Sequence, residues 1–396
     1  MKTIKEKIDE IANIVTTEGL STSAYNLMSG TSGIILFLAE YADATQNIKY
    51  EDVAVEILER TIDLVYKQEP IFPYAGGLAG VGFLFSWLEE RKELSSIITE
   101  EIDEYLAAGA LEEMQKSHYD FLHGFMGIAF YFIHRAKTTK TIAPILYNVV
   151  DYLQETAQYN TKKNEIKWKK IKDDGAIEYN TSLSHGMASI IVLLTKLYLL
   201  HDTSLSEKIK PLIVGGVNYI LNQEIDRNIY GSYYSYLAIE SQDNLRGSRL
   251  AWCYGDLGIA TTLYQAGKAL GEQSWIDKAI EVLTYAAINR RDLEKNLVMD
   301  AGLCHGTSGA GHIFYRMWWN TKLPEFKDAA DYWFAETLKM AKFEDGLAGY
   351  KAWQGEQYGG WINQHGLLEG IVGIGLALLS YSTQTEPSWD ECLLLS

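Results

Sequence analysis

The chain has 396 residues, 47% of them hydrophobic, enough for a sizeable core in one large domain or two ordinary ones. A formal net charge of -17 excludes the basic face on which nucleic-acid binding usually depends, and instead favours solubility or a basic partner segment. Three cysteines make a poor disulfide framework and point to a reducing, intracellular compartment.

The first ten residues mix charges and lack an apolar signal core. Residues 2–17 then place apolar side chains at helical spacing with one wet face. At Gly30 the pattern changes to a Gly-x-x-Gly turn followed by a run that is apolar on most sides. The same turn and run recur at Gly77, Gly124, Gly186, Gly255, Gly306 and Gly370, with Ser189 replacing the second glycine of the fourth. Wet-faced segments alternate with them: the stretch around Val55, Leu58, Ile62 and Val65, then 93–107, 142–156, 205–222, 274–287 and 325–342. The run after Gly186 contains Lys196 and is too short to span a bilayer.

Seven wet-faced helices alternating with seven enclosed ones predict an all-α fold, a double-walled α/α toroid over residues 1–396 as one domain. An open solenoid is the alternative, but it would want polar caps, and the last repeat is as apolar as the middle ones. Glycine at each turn is expected to take positive φ and to let backbones approach closely near the axis. Two intervals are long. Residues 160–184 contain Glu165 to Ile171, alternating like a short strand pair; residues 224–250 are Tyr-rich and read either as a ligand-contacting loop or as scattered surface aromatics.

Superposing the turns on their first glycine aligns the polar residues. The position before it holds Ser29, Gly76, His123, His185, Tyr254, His305 and Glu369; the one before that holds Cys253 and Cys304 in repeats five and six. In a closed ring these positions share one opening. Two thiolates and an imidazole there (Cys253, Cys304, His305) read as three ligands of Zn2+, with the fourth position open for water or substrate. Buried, inert cysteines are the plainer reading for a lone Cys. Two at one repeat position, with His beside one, favour metal.

A metal-bound thiol is deprotonated, so such a site could activate a substrate thiol. Attack on an α,β-unsaturated amide leaves an enolate that needs a proton, and His185 is placed to give it. Asp120, one helical turn before Gly124, would orient His185; Arg249, four residues before Cys253, would stabilise negative charge. From the residues alone, a surface charge or a helix-end partner is the preferred reading of both.

At Ser184-His-Gly186, Trp252-Cys-Tyr-Gly255, Cys304-His-Gly306 and Leu368-Glu-Gly-Ile-Val-Gly373 the chain resembles the lanthionine synthetase C-like family. The resemblance extends over nearly the whole chain. It implies an α/α toroid with catalytic zinc held by Cys253, Cys304 and His305. It also implies His185 as acid/base, Asp120, Arg249 and Tyr254 at the catalytic site, and Trp252 against the substrate. Members of the family add peptide Cys thiols to dehydroalanine or dehydrobutyrine. The resemblance is to the stand-alone lantibiotic cyclases, with a dehydrated precursor peptide as substrate and a separate dehydratase and an export transporter as partners. The expected location is the cytoplasm, peripheral to a membrane-associated biosynthetic complex. His123 is given no role.

Two other functions compete with a cyclase. One is a zinc-containing thiol- or peptide-binding protein of the same family. The other is a different toroid enzyme, but a prenyltransferase site wants a carboxylate ligand, and a glycosidase needs two carboxylates and leaves Cys-Cys-His without a purpose.

Overall fold

The computed structural model describes residues 2–92, 100–139, 142–171 and 175–396. Part of the wet-faced stretch 93–107 therefore lies outside the described residues.

Outer and inner helices alternate along the chain. They are α1 (Ile4–Ser21), α2 (Thr31–Thr45), α3 (Ile48–Lys67), α4 (Leu78–Lys92), α5 (Glu100–Gln115), α6 (Phe125–Arg135), α7 (Ala143–Thr156), α8 (Met187–Tyr198) and α9 (Thr203–Leu221). After a single turn, α10 (Arg227–Tyr230), come α11 (Asp256–Leu270), α12 (Gln273–Asn289), α13 (Thr307–Thr321), α14 (Pro324–Lys339) and α15 (Ile371–Thr383). The outer helices bury one stripe. In α1, a capping box between Thr3 and Glu6 fixes the start, and Ile8, Ile11, Ala12 and Val15 face inward. The inner helices are buried nearly all round, as Ile34 to Leu38 of α2 are.

Ring closure is visible in the backbone just before the first glycines, where six of the seven neighbouring pairs of turns are bonded. The N–H of Met28 donates to Ala75, Ala75 to Leu122, Ser184 to Cys253, Trp252 to Cys304, Cys304 to Leu368, and Leu368 back to Met28 at 3.2 Å. The last bond joins the seventh repeat to the first, and α15 packs on both α1 and α2. The fold is an α/α toroid and not an open solenoid.

Directly beneath this ring lies a floor of seven side chains, each three residues before its turn glycine: Leu27, Tyr74, Phe121, Leu183, Trp252, Leu303 and Leu367, none more than 2% exposed. Below it the barrel is filled by the chain's own C-terminus. A 3-10 turn over Trp389–Leu393 brings Asp390 against Arg316 (2.6 Å) and His312 (2.8 Å), with all three buried. Glu391 reaches Lys196 at 3.2 Å and His134 at 3.1 Å. Arg316 and Lys196 both sit nine residues into their helices, about 13 Å from the turns at 1.5 Å per residue. The plug therefore enters from the end opposite the polar opening. From above, Tyr74 Oη donates to Cys392 O and Trp252 Nε1 to Leu393 O.

Two expectations need correction. Positive φ occurs at only one of the seven turn-opening glycines, Gly255, at +82°. Elsewhere the cause is close approach: a Cβ at Gly124 would stand 2.0 Å from His118 O. Two tyrosines of the Tyr-rich loop match neither reading, while Tyr236 stays exposed. Tyr233 and Tyr234 are 1% exposed, and their N–H groups donate to the Asp256 carboxylate, which also pairs with buried Arg290 at 2.8 Å. This pins the loop over the N-terminus of α11. The alternating segment does form strands, but with partners on either side: 158–160 pairs with 165–167, and 170–171 with 177–178.

Candidate metal centre and proton-transfer site

The turn before α11 and the turn before α13 are neighbours in the ring, tied by Trp252 N–H to Cys304 O at 3.0 Å. That tie sets two cysteines, 51 positions apart by number, side by side. One ligand atom each of Cys253, Cys304 and His305 lies within 4.8 Å of the others. A tetrahedral zinc with bonds of ~2.3 Å to sulfur and ~2.0 Å to nitrogen needs edges of about 3.5–3.8 Å, so small rotations would seat the ion. The donor set fits zinc.

The local electrostatics show what such an ion would relieve. The hydrogen bond from Cys304 holds the Cys253 thiol well below its ordinary range, and the same contact drives Cys304 well above it. Burial disfavours charge on His305, but the bond to the Cys253 sulfur and the Asp300 carboxylate outweigh it and raise its pKa. Asp300 is itself fixed, accepting from Gly302 N–H at 3.0 Å and Trp353 N–H at 2.8 Å. Arg249 adds positive charge within reach of both sulfurs.

The next turn round the ring carries His185. Its Nδ1 lies 2.7 Å from Asp120 Oδ2, while Asp120 Oδ1 accepts the N–H groups of Leu122 and His123. Burial works to raise the Asp120 pKa, but the bond to His185 and the nearby imidazoles more than offset it, and the carboxyl is held below its usual value. An ionised Asp120 fixes the tautomer: Nδ1 carries the proton toward Asp120, and Nε2 is left for other work. Tyr254 stands beside His185 with ring centroids 5.9 Å apart. Burial and the charge on Cys253 push its phenol up to about 12, so it stays protonated.

The structure therefore brings together Cys253, Cys304 and His305, sets His185 on Asp120, and keeps Tyr254 and Arg249 nearby. Trp252 is elsewhere. Its indole is 1% exposed, with its one donor spent on Leu393 O, so it belongs to the floor under the site and cannot meet a substrate at the opening. Asp256, the carboxylate that a prenyltransferase-like site would want, is fully engaged by the Tyr loop and Arg290. Asn180, which accepts Ser182 N–H at 2.9 Å and hydrogen-bonds the Tyr254 side chain, and Asp300 went unnoticed in the sequence. Both occupy the position six before the turn glycine, as Arg249 does, so extending the repeat alignment four residues further back would have exposed them. His123, given no role there, stacks on His185 with ring centroids 5.9 Å apart.

Comparison with known proteins gives the same picture from another side. The family model described as lanthionine synthetase C-like protein matches residues 21–394. The chain belongs to the lanthionine synthetase C-like family. Among the family's curated members, the nisin biosynthesis protein NisC of Lactococcus lactis subsp. lactis is 22% identical over 408 residues, covering 96% of this chain and 90% of that protein. Among solved structures, a nisin cyclase superposes with a TM-score of 0.76 at 19% identity, over 100% of this chain and 98% of that one. That likeness is one of fold, and it agrees with the closed toroid.

Proposed function

We propose that this lanthionine synthetase C-like protein is a zinc-dependent cyclase that closes thioether rings in a dehydrated precursor peptide, with residues 1–396 working as one toroid. Membership of the family and likeness to proteins named for nisin biosynthesis and nisin cyclisation support the reaction. The single observation that carries the site is the meeting of Cys253, Cys304 and His305 within 4.8 Å, one turn round the ring from the His185–Asp120 pair.

Cys253, Cys304 and His305 would hold the zinc, which when bound would supply an electrophilic centre that lowers the pKa of a peptide thiol. The sulfur adds to the β-carbon of dehydroalanine or dehydrobutyrine, a C–S bond forms, and the π electrons move onto the amide as an enolate. His185 Nε2 takes up the proton that the thiol releases and then gives it to the α-carbon, while Asp120 holds Nδ1–H and keeps the imidazole aimed at the opening. Arg249 offsets negative charge gathered near the sulfurs, and protonated Tyr254 is a hydrogen-bond donor beside His185. Trp252 supports this site from beneath without touching the peptide. Among the described residues no helix is long and apolar enough to cross a membrane. A cytoplasmic site of action, a separate dehydratase and an export transporter complete the reading.

The test has two parts. Purified protein is expected to hold about one zinc per chain, lost in Cys304→Ala. Incubated with a dehydrated Cys-containing precursor, it is expected to consume free thiols, counted by alkylation. A metal-free native chain would overturn the site. Zinc with unchanged thiols would overturn the cyclase and favour a zinc-containing peptide binder.

A further inference from the structure

The ring that gathers the zinc ligands gathers a second set of donors. Asp120, His123 and His185 each offer one atom, and these lie within 4.8 Å of one another. His123 and His185 hold the same position in adjacent repeats, which is why their rings come to lie parallel. Two imidazoles and a carboxylate are a nitrogen–oxygen set suited to zinc and poor for magnesium or calcium. Tetrahedral edges among such ligands are about 3.3 Å, so the 2.7 Å contact between His185 and Asp120 must open slightly while His123, exposed and free to swing, completes the set.

We infer that Asp120, His123 and His185 form a second, weaker zinc site, and that filling it removes His185 from proton transfer. The ion displaces the proton that His185 shares with Asp120 and takes the imidazole as a ligand. The Lys170 ammonium, 3.8 Å from Asp120, opposes the incoming charge and keeps the affinity below that of the sulfur site. Excess zinc thereby inhibits the same protein that one zinc activates. The inhibition rests on the role proposed above for His185; the binding site does not.

Co2+ and Zn2+ titrations of the full chain distinguish the two centres. The first Co2+ is expected to give the near-ultraviolet charge-transfer band of thiolate ligation, and the second to add visible absorption without that band. His123→Ala, a change at an exposed side chain, is expected to bind the first ion only. Zinc above one equivalent should slow cyclisation, and the concentration needed should rise at least tenfold in His123→Ala, judged against that variant's own rate at one equivalent. Saturation of the native chain at one ion, or a second ion bound within twofold as tightly by His123→Ala, would overturn the site. A second ion without inhibition would overturn its effect on His185. Loss of the thiolate band alone would sink the sulfur centre and leave this one standing.

Discussion

Trp252 Nε1 donates to Leu393 O at 2.8 Å, so the residue immediately before Cys253 is bonded to the end of the chain 141 positions later. The upper and lower halves of the barrel meet at this bond. Trp252→Phe would leave a buried carbonyl without its donor, a loss of about 1–3 kcal/mol. The urea midpoint is expected to fall, and zinc to leave more readily on chelation, because Cys253 loses its support. An unchanged midpoint would show that the tie carries no stability.

Gly255 offers a sharper test of the Cys253 turn. Its φ is +82°, and an added Cβ would stand 2.0 Å from Ser248 Oγ. Gly255→Ala is expected to cost more than the ~1 kcal/mol of ordinary left-handed strain and to weaken zinc binding, as read by metal content after dialysis. Gly76 is the control: a Cβ there meets nothing within 4 Å. Gly76→Ala should stay within about 0.5 kcal/mol of the native chain. Equal effects would mean that the strained turn does not shape the site.

Proton transfer should separate cleanly from metal binding. His185→Ala is expected to keep the zinc of the sulfur site and to slow cyclisation by about 10²–10⁴-fold, the range for a lost general acid. Asp120→Asn should act in the same direction through the wrong tautomer, again with zinc retained. Because the folded Asp120 pKa is depressed, its pairing contributes stability above the unfolded value near ~3.9 and loses it as pH falls through the folded one. An acid limb in the rate profile above pH ~4 would therefore belong to another group than Asp120. Loss of the zinc held at Cys253, Cys304 and His305 in His185→Ala would make it a ligand of that centre.

The plug has its own acid signature. Asp390 is fully buried between Arg316 and His312; burial opposes its ionisation, but the guanidinium prevails and holds its pKa at about 2. The sign follows from that depression: stability is present in full above the unfolded value near ~3.9 and fades as pH drops toward 2, by on the order of 2 kcal/mol. Asp390→Asn, which leaves the buried Arg316 guanidinium with Glu386 at 3.0 Å as its remaining counter-ion, is expected to cost up to about 3–5 kcal/mol in chemical unfolding and to flatten this acid dependence. A variant as stable as the native chain would mean that the plug stands on its apolar contacts alone.

The sequence by itself determined the alternation of wet and enclosed helices, because burial imposes a period of 3.6 on any helix that has one dry face. It also determined which residues share an end of the ring: repeats superposed on their glycines put Cys253, Cys304, His305 and His185 in equivalent places. Tertiary structure decided the rest, since pairings between distant turns leave no periodicity to read. The Leu368-to-Met28 bond closes the circle. Asp120 meets His185 across 65 positions, and the C-terminus, outside every repeat, fills the barrel and claims Trp252 for the floor. Tyr233 and Tyr234 went inside for a similar reason. A buried Asp256 needed donors, and the loop's backbone supplied them.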